Sequence, residues 1–150
     1  MYENYVRDGG ERALRQDVAE VVVRYATGID RRDWELFRSC FADDCKADYG
    51  EIGSWPDADA MTEWMRQAHT RCGQTLHRVT NQDVALSGNG ATARCYLDAL
   101  VMTADNLTII QTVGFCDDEL VYTAEGWKIA RRQYTRVLSR NLRNDLRSET

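Results

Sequence analysis

The chain has 150 residues and a mass of 17.2 kDa, enough for one domain with a single sizeable core and too little for two. Its formal net charge of −5 and pI near 5.0 argue against the clustered basic face that a nucleic-acid partner requires. No apolar run is long enough to span a bilayer, and Met1-Tyr2-Glu3-Asn4-Tyr5 lacks the basic-then-apolar order of a secretory signal. A cytoplasmic protein without a membrane partner is the expectation.

Residues 1–10 are polar and end in Gly9-Gly10, as a loose arm would. From Glu11 the apolar residues Leu14, Val18, Val21 or Val22, Tyr25 and Ile29 recur at three- or four-residue spacing, which predicts an amphipathic helix. Gly28 weakens its last turn. Asp33 can then cap a short helix, Trp34 to Phe41, pinned to the first by Trp34, Phe37 and Phe41. Asp43-Asp44 reads as a turn before a short strand, residues 45–49, and Trp55 beside the chain's single proline, Pro56, suits a partly fixed flap. A third helix is expected over residues 57–72, with Met61, Trp64, Met65 and Ala68 on one side and an acidic first turn.

Beyond Gly73 the period changes to two. Residues 76–86, 91–103, 107–121 and 127–138 read as four long strands separated by turn sequences. The late arginines, from Arg131 and Arg132 to Arg147, are interrupted by Asp145 and Glu149 and read as a solvated end, with residues 139–150 loose or in contact with a neighbouring subunit. Three helices followed by consecutive antiparallel strands predict a single α+β domain in which the helices close one face of a strongly curved, mostly antiparallel sheet. The five cysteines (Cys40, Cys45, Cys72, Cys95 and Cys116) are odd in number and form no Cys-x-x-Cys pair, so buried, reduced thiols are expected. With only His69 and His77 and no carboxylate cluster at ligand spacing, no metal and no cofactor is expected.

This order of elements resembles the cone-shaped NTF2-like (cystatin-like) superfamily, which holds nuclear transport factor 2, ketosteroid isomerase and the SnoaL-like polyketide cyclases. The run Tyr25-x-x-x-x-Asp30-x-x-x-Trp34, then Thr75-Leu76-His77, Arg94-Cys95-Tyr96-Leu97-Asp98, Trp127-x-Ile129 and Tyr134-x-Arg136 resembles the branch of scytalone dehydratase, bile-acid 7α-dehydratase and lindane dehydrochlorinase. That resemblance implies a catalytic pair in which Asp30 orients His77 and His77 removes a proton. It also implies that Tyr25 matches the tyrosine of the bile-acid enzyme, Tyr49 a tyrosine of scytalone dehydratase, and Arg136 the late-strand arginine. A second histidine of scytalone dehydratase falls near Tyr96, and an extra strand aspartate of the bile-acid enzyme near Asp98 or Ala99.

Each candidate also has an ordinary structural role. His77 shares a strand face with Val79 and Asn81, where a hydrogen-bonded core histidine is the commoner outcome. Asp30 could be a helix-end residue paired with Arg31 or Arg32. Tyr25 lies in the apolar stripe and either packs or donates to a substrate oxygen. Tyr96 and Asp98 share a polar face with Arg94, which must meet water or a pocket. Gln111 interrupts an apolar series, consistent with a buried hydrogen-bonding role, and Arg136 is solvated by default. Trp34, Phe37, Trp64 and Trp127 read as core.

The expectation is a cofactor-independent lyase (dehydratase-like) or isomerase acting on a small, mostly apolar cyclic molecule of steroid, polyketide or aromatic type. His77, Asp30 and Tyr25 would be catalytic, with Tyr49, Tyr96, Asp98, Gln111, Arg136 and Trp55 binding substrate. The alternatives are a ligand carrier without chemistry, or a partner subunit like the small subunit of ring-hydroxylating dioxygenases. A homotrimer or homodimer is expected from the family resemblance.

Overall fold

The computed structural model describes residues 10–147; of the arm expected over residues 1–10, residues 1–9 lie outside them. Helix α1, Glu11–Arg31, buries Leu14, Val18, Val21, Val22, Tyr25 and Ile29 as the spacing requires. It does not end at Gly28. A Cβ there would lie 2.7 Å from the backbone nitrogen of Phe37, so this glycine permits the close crossing of α1 by α2, Trp34–Ser39. The helix stops at Arg32, which takes the left-handed conformation (φ 57°) usually given to glycine. Such a residue costs roughly 1–2 kcal/mol, offset here by its guanidinium, which donates to the carbonyls of Ile29 (2.8 Å) and Gly73 (2.7 Å) and to Thr75 Oγ1 (2.7 Å). Asp33 caps α2 by accepting from the Leu36 amide at 2.9 Å.

Strand β1 runs Phe41–Asp48, four residues earlier than expected. Asp43 and Asp44 are not a turn but a register irregularity between Phe41 and Lys46 as β1 pairs with β6. A 3₁₀ turn, Gly50–Ile52, and the short strand β2, Ser54–Trp55, lead to α3, Ala58–His69, which Asp57 caps through the Ala60 amide at 2.7 Å. The four long strands are β3 (Cys72–Ser87), β4 (Gly90–Thr103), β5 (Thr108–Thr123) and β6 (Gly126–Arg143). The sheet order is β2-β1-β6-β5-β4-β3, antiparallel except for the β1–β6 pairing. Residues 139–143, expected to be loose or in contact with a neighbouring subunit, continue β6, with Arg143 opposite Thr108. Among the described residues no helix is long and apolar enough to cross a membrane.

Irregularities bend this sheet. β3 carries one between Thr80 and Asp83, where Asn81 is at φ 51°, and β5–β6 shifts at Val113/Gly114 and Glu119/Leu120. A Cβ at Gly114 would lie 2.1 Å from the Thr135 carbonyl oxygen, so the strands close up there because the side chain is missing. The face turned toward the helices holds Leu97, Cys95, Cys116, Leu120, Ile129 and Tyr134. All five cysteines are unpaired thiols, and only Cys72 is not fully buried.

One ion pair sits inside this core. The Arg132 guanidinium donates to both oxygens of Asp118 at 2.8 and 2.7 Å, both side chains are fully buried, and the cation lies 4.2 Å from the Tyr25 ring centroid. Arg132 is therefore no part of a solvated basic end. Removing one partner of such a pair typically costs about 3–5 kcal/mol, because the other charge is left buried alone. Arg132→Met should lower the urea-derived stability by about that amount, and Asp118→Leu added to it should recover most of the loss.

Candidate active site

The cavity that α1, α3 and the curved sheet enclose has a volume of about 180 Å³. Ile29, Met65, Leu97, Ala99 and Val101 make its wall largely apolar, and Tyr25, Tyr49, His69, Cys72, His77, Thr112 and Tyr134 supply its polar atoms. No charged side chain is among the lining residues. Two larger grooves of about 470 Å³ are lined by charged residues such as Arg94, Asp117 and Arg131 or Lys46 and Asp48. They lack convergent polar atoms in an apolar hollow, so the smaller cavity is the better site.

Asp30 ends α1 directly beside β3. Its Oδ1 receives His77 Nδ1 at 2.7 Å and the Thr75 hydroxyl at 2.9 Å, and its Oδ2 receives the His77 backbone N–H at 2.7 Å. An ionised carboxylate only accepts, so Nδ1 carries the proton and the neutral ring keeps its lone pair on Nε2. Among the described residues no hydrogen bond engages that Nε2. Burial alone raises the Asp30 carboxyl, but the bonds from the His77 ring, its backbone N–H and Thr75 outweigh it and hold the group below its ordinary 3.8. Arg32 reaches the carboxylate through Thr75 rather than directly.

Tyr25 is buried and meets the His77 ring edge-on, with centroids 6.2 Å apart. Burial drives its phenol well above the ordinary 10.0, and Tyr49 is raised for the same leading reason, so both hydroxyls stay protonated. Tyr49 accepts a bond from Arg132 at 3.4 Å. Tyr134, quoted above only as the neighbour of Arg136, also lines the cavity; burial pushes it up to about 12, and its hydroxyl has no hydrogen-bond partner among the described residues.

Five expected binding residues are not in the lining. His77 pairs with Ala99 across β3 and β4, so Leu97, Ala99 and Val101 share its face while Tyr96 and Asp98 point away. Tyr96 is 52% exposed. Asp98 accepts from Arg78 (2.6 Å) and from Gln111 (2.9 Å), and Gln111 accepts from Arg140 (2.8 Å), a polar network on the far side of the sheet. Trp55 packs behind the lining, against Tyr49 and Trp64. Arg136 is held by Glu51 at 2.5 Å, with its side chain 38% exposed. Trp64, expected in the core, is instead 40% exposed and contributes to the cavity.

His69, the last residue of α3, is the site residue that sequence reasoning missed. Its Nδ1 lies 2.7 Å from the Met65 carbonyl oxygen and its ring packs on Trp34. Burial, opposed by that carbonyl and aided by Arg32 and His77, lowers it from the ordinary 6.5. Among the described residues no three His, Cys, Asp or Glu side chains are arranged to hold a metal ion.

The profile of the SnoaL-like domain matches residues 10–133. The chain belongs to this SnoaL-like family. The uncharacterised protein Rv2910c of Mycobacterium tuberculosis is 25% identical over 129 residues, covering 84% of this SnoaL-like chain and 87% of that protein. Among solved structures, a proposed scytalone dehydratase of Novosphingobium aromaticivorans superposes with a TM-score of 0.79 at 16% identity, covering 96% of this chain and 93% of that one. A hexachlorocyclohexane dehydrochlorinase (LinA) type 2 gives 0.77 at 16% identity, covering 91% and 92%. At such identities the likeness establishes the NTF2-like fold.

The lowered groups give the stability of this SnoaL-like domain a defined pH dependence. Asp30 is depressed, so its contribution is full above 3.8 and is lost as pH falls through its folded value. His69 is depressed too, so below 6.5 the unfolded chain takes up its proton first and stability again falls with pH. Urea midpoints should drop in two stages on acidification, Asp30→Asn reducing the lower stage and His69→Gln the upper; an unchanged lower stage in Asp30→Asn would contradict the assignment.

Proposed function

We propose that this cavity is the active site of a cofactor-independent lyase, dehydratase-like, or isomerase. His77 Nε2 takes a proton from a carbon that a carbonyl or leaving group activates, and Asp30 fixes the tautomer and stabilises the imidazolium. Tyr25 and Tyr49, kept protonated by burial, are hydrogen-bonded to each other, and the pair has one O–H left to donate to an oxygen that gains negative charge. The observation that carries the reading is the Asp30–His77 bond at 2.7 Å beside an apolar cavity, with no partner on Nε2 among the described residues. The neighbours described as a scytalone dehydratase and a dehydrochlorinase support the same class of chemistry.

The substrate is a small, uncharged cyclic molecule. A cavity of about 150 Å³ takes benzene, whereas drug-sized ligands occupy roughly 300 Å³ or more. At about 180 Å³ the site favours the aromatic or single-ring type over a steroid. The carrier alternative uses the same cavity without proton transfer and predicts no effect of the His77→Gln exchange. Apolar side chains left exposed by the sheet, among them Leu76, Tyr96 and Leu138, favour a homotrimer or homodimer. Sedimentation equilibrium should then give three or two times 17.2 kDa.

Deuterium uptake from D₂O into the α-carbon of cyclohexanone or 2-tetralone, followed by mass spectrometry, tests the proton abstraction. The protein should accelerate it, and His77→Gln should remove about 10²–10⁴-fold of the rate while leaving the circular dichroism spectrum unchanged. Equal exchange by the two proteins overturns the catalytic reading.

A further inference from the structure

The chain holds two histidines, and both line this apolar cavity. They arrive from different elements, His69 from the end of α3 and His77 from β3. Each Nδ1 is committed to an oxygen that can only accept, the Met65 carbonyl in one case and the Asp30 carboxylate in the other, both at 2.7 Å. Each neutral ring therefore carries its hydrogen on Nδ1 and a lone pair on Nε2. Among the described residues the only hydrogen bonds of either ring are those of Nδ1, and neither Nε2 is engaged.

The two rings differ in what stands behind them. His77 has a carboxylate that stabilises its protonated form. His69 has a neutral carbonyl behind it, the Trp34 ring beside it, and Arg32, the second imidazole and, most weakly, the Asp30 carboxylate within electrostatic reach, with burial outweighing the groups that favour its protonated form. A second cation is disfavoured there, so His69 remains an acceptor while His77 does the proton transfer. A ligand without a donor would leave the His69 lone pair desolvated and unpaired, a penalty worth about five- to a hundredfold in affinity. A hydroxyl satisfies it.

We infer that His69 accepts, through Nε2, a hydrogen bond from a hydroxyl group on a neutral single-ring substrate, and so selects hydroxylated compounds over their hydrocarbon counterparts. This rests on the reading of the cavity as a substrate site and adds to it which functional group is recognised and by which residue. It assigns His69 a recognition role with no share in the proton transfer.

Long-range proton–nitrogen NMR on uniformly ¹⁵N-labelled protein, above the histidine titration range, resolves the two imidazoles, and phenol and toluene serve as matched probes. The free protein should show both rings protonated at Nδ1. Phenol should shift the His69 Nε2 resonance and toluene should not, with phenol bound at least about fivefold more tightly. His69→Phe should abolish that preference, and His69→Gln, whose amide oxygen reaches the Nε2 position, should retain it. A His69 Nε2 that phenol leaves unmoved while the His77 signals respond overturns this inference alone and leaves the proton-abstraction reading standing. Neither ring responding to either probe overturns both.

Discussion

The carboxylate of Asp30 is the joint on which the site depends. It closes the last turn of α1 against β3 by accepting three bonds, two from His77 and one from Thr75. The backbone bond fixes where the strand runs, and the ring bond fixes how the imidazole is turned. Because one carboxylate does both, the helix cannot shift along the sheet without also releasing the ring. Arg32 reinforces the joint from behind, bonding Thr75 and the Gly73 carbonyl, which gives a physical reason for a left-handed arginine where glycine is usual.

A second constraint lies deeper. The Arg132–Asp118 pair is fully buried, and its guanidinium lies under the Tyr25 ring while touching the Tyr49 hydroxyl. Two phenols are thereby packed at the cavity floor without a mobile ion among the lining residues. Burial raises both phenols and lowers His69, so these three groups of the cavity wall stay uncharged near neutral pH. On the proposed reading, such an apolar wall lets a positioned base act on a neutral molecule.

Much of this was legible in the sequence, for identifiable reasons. Three- and four-residue apolar spacing located α1, and alternation located the long strands, because both periods follow from backbone geometry. The proximity of Asp30 and His77 rested on the family resemblance, and the structure brings them into contact. The faces of the later strands were not legible. Tyr96, Asp98 and Gln111 stand on the far side of the sheet because register pairs His77 with Ala99, and a strand's own alternation does not state its register. Arg132 reads as solvated, and only the shift at Glu119/Leu120, which re-aims β6, carries it inward opposite Asp118. His69 enters the sequence reading only as one of the chain's two histidines; its place in the cavity lining follows from the packing of α3 over the sheet.

The central claim is that His77 Nε2 faces the reacting carbon of a bound neutral molecule. A crystal structure of the protein with a cyclic ketone such as 2-tetralone in the cavity measures this most directly. The activated carbon should lie about 3–3.5 Å from His77 Nε2, with Nδ1 still on Asp30. A ketone bound in the cavity with Nε2 turned away from it, or a His77 ring released from Asp30, would contradict the claim.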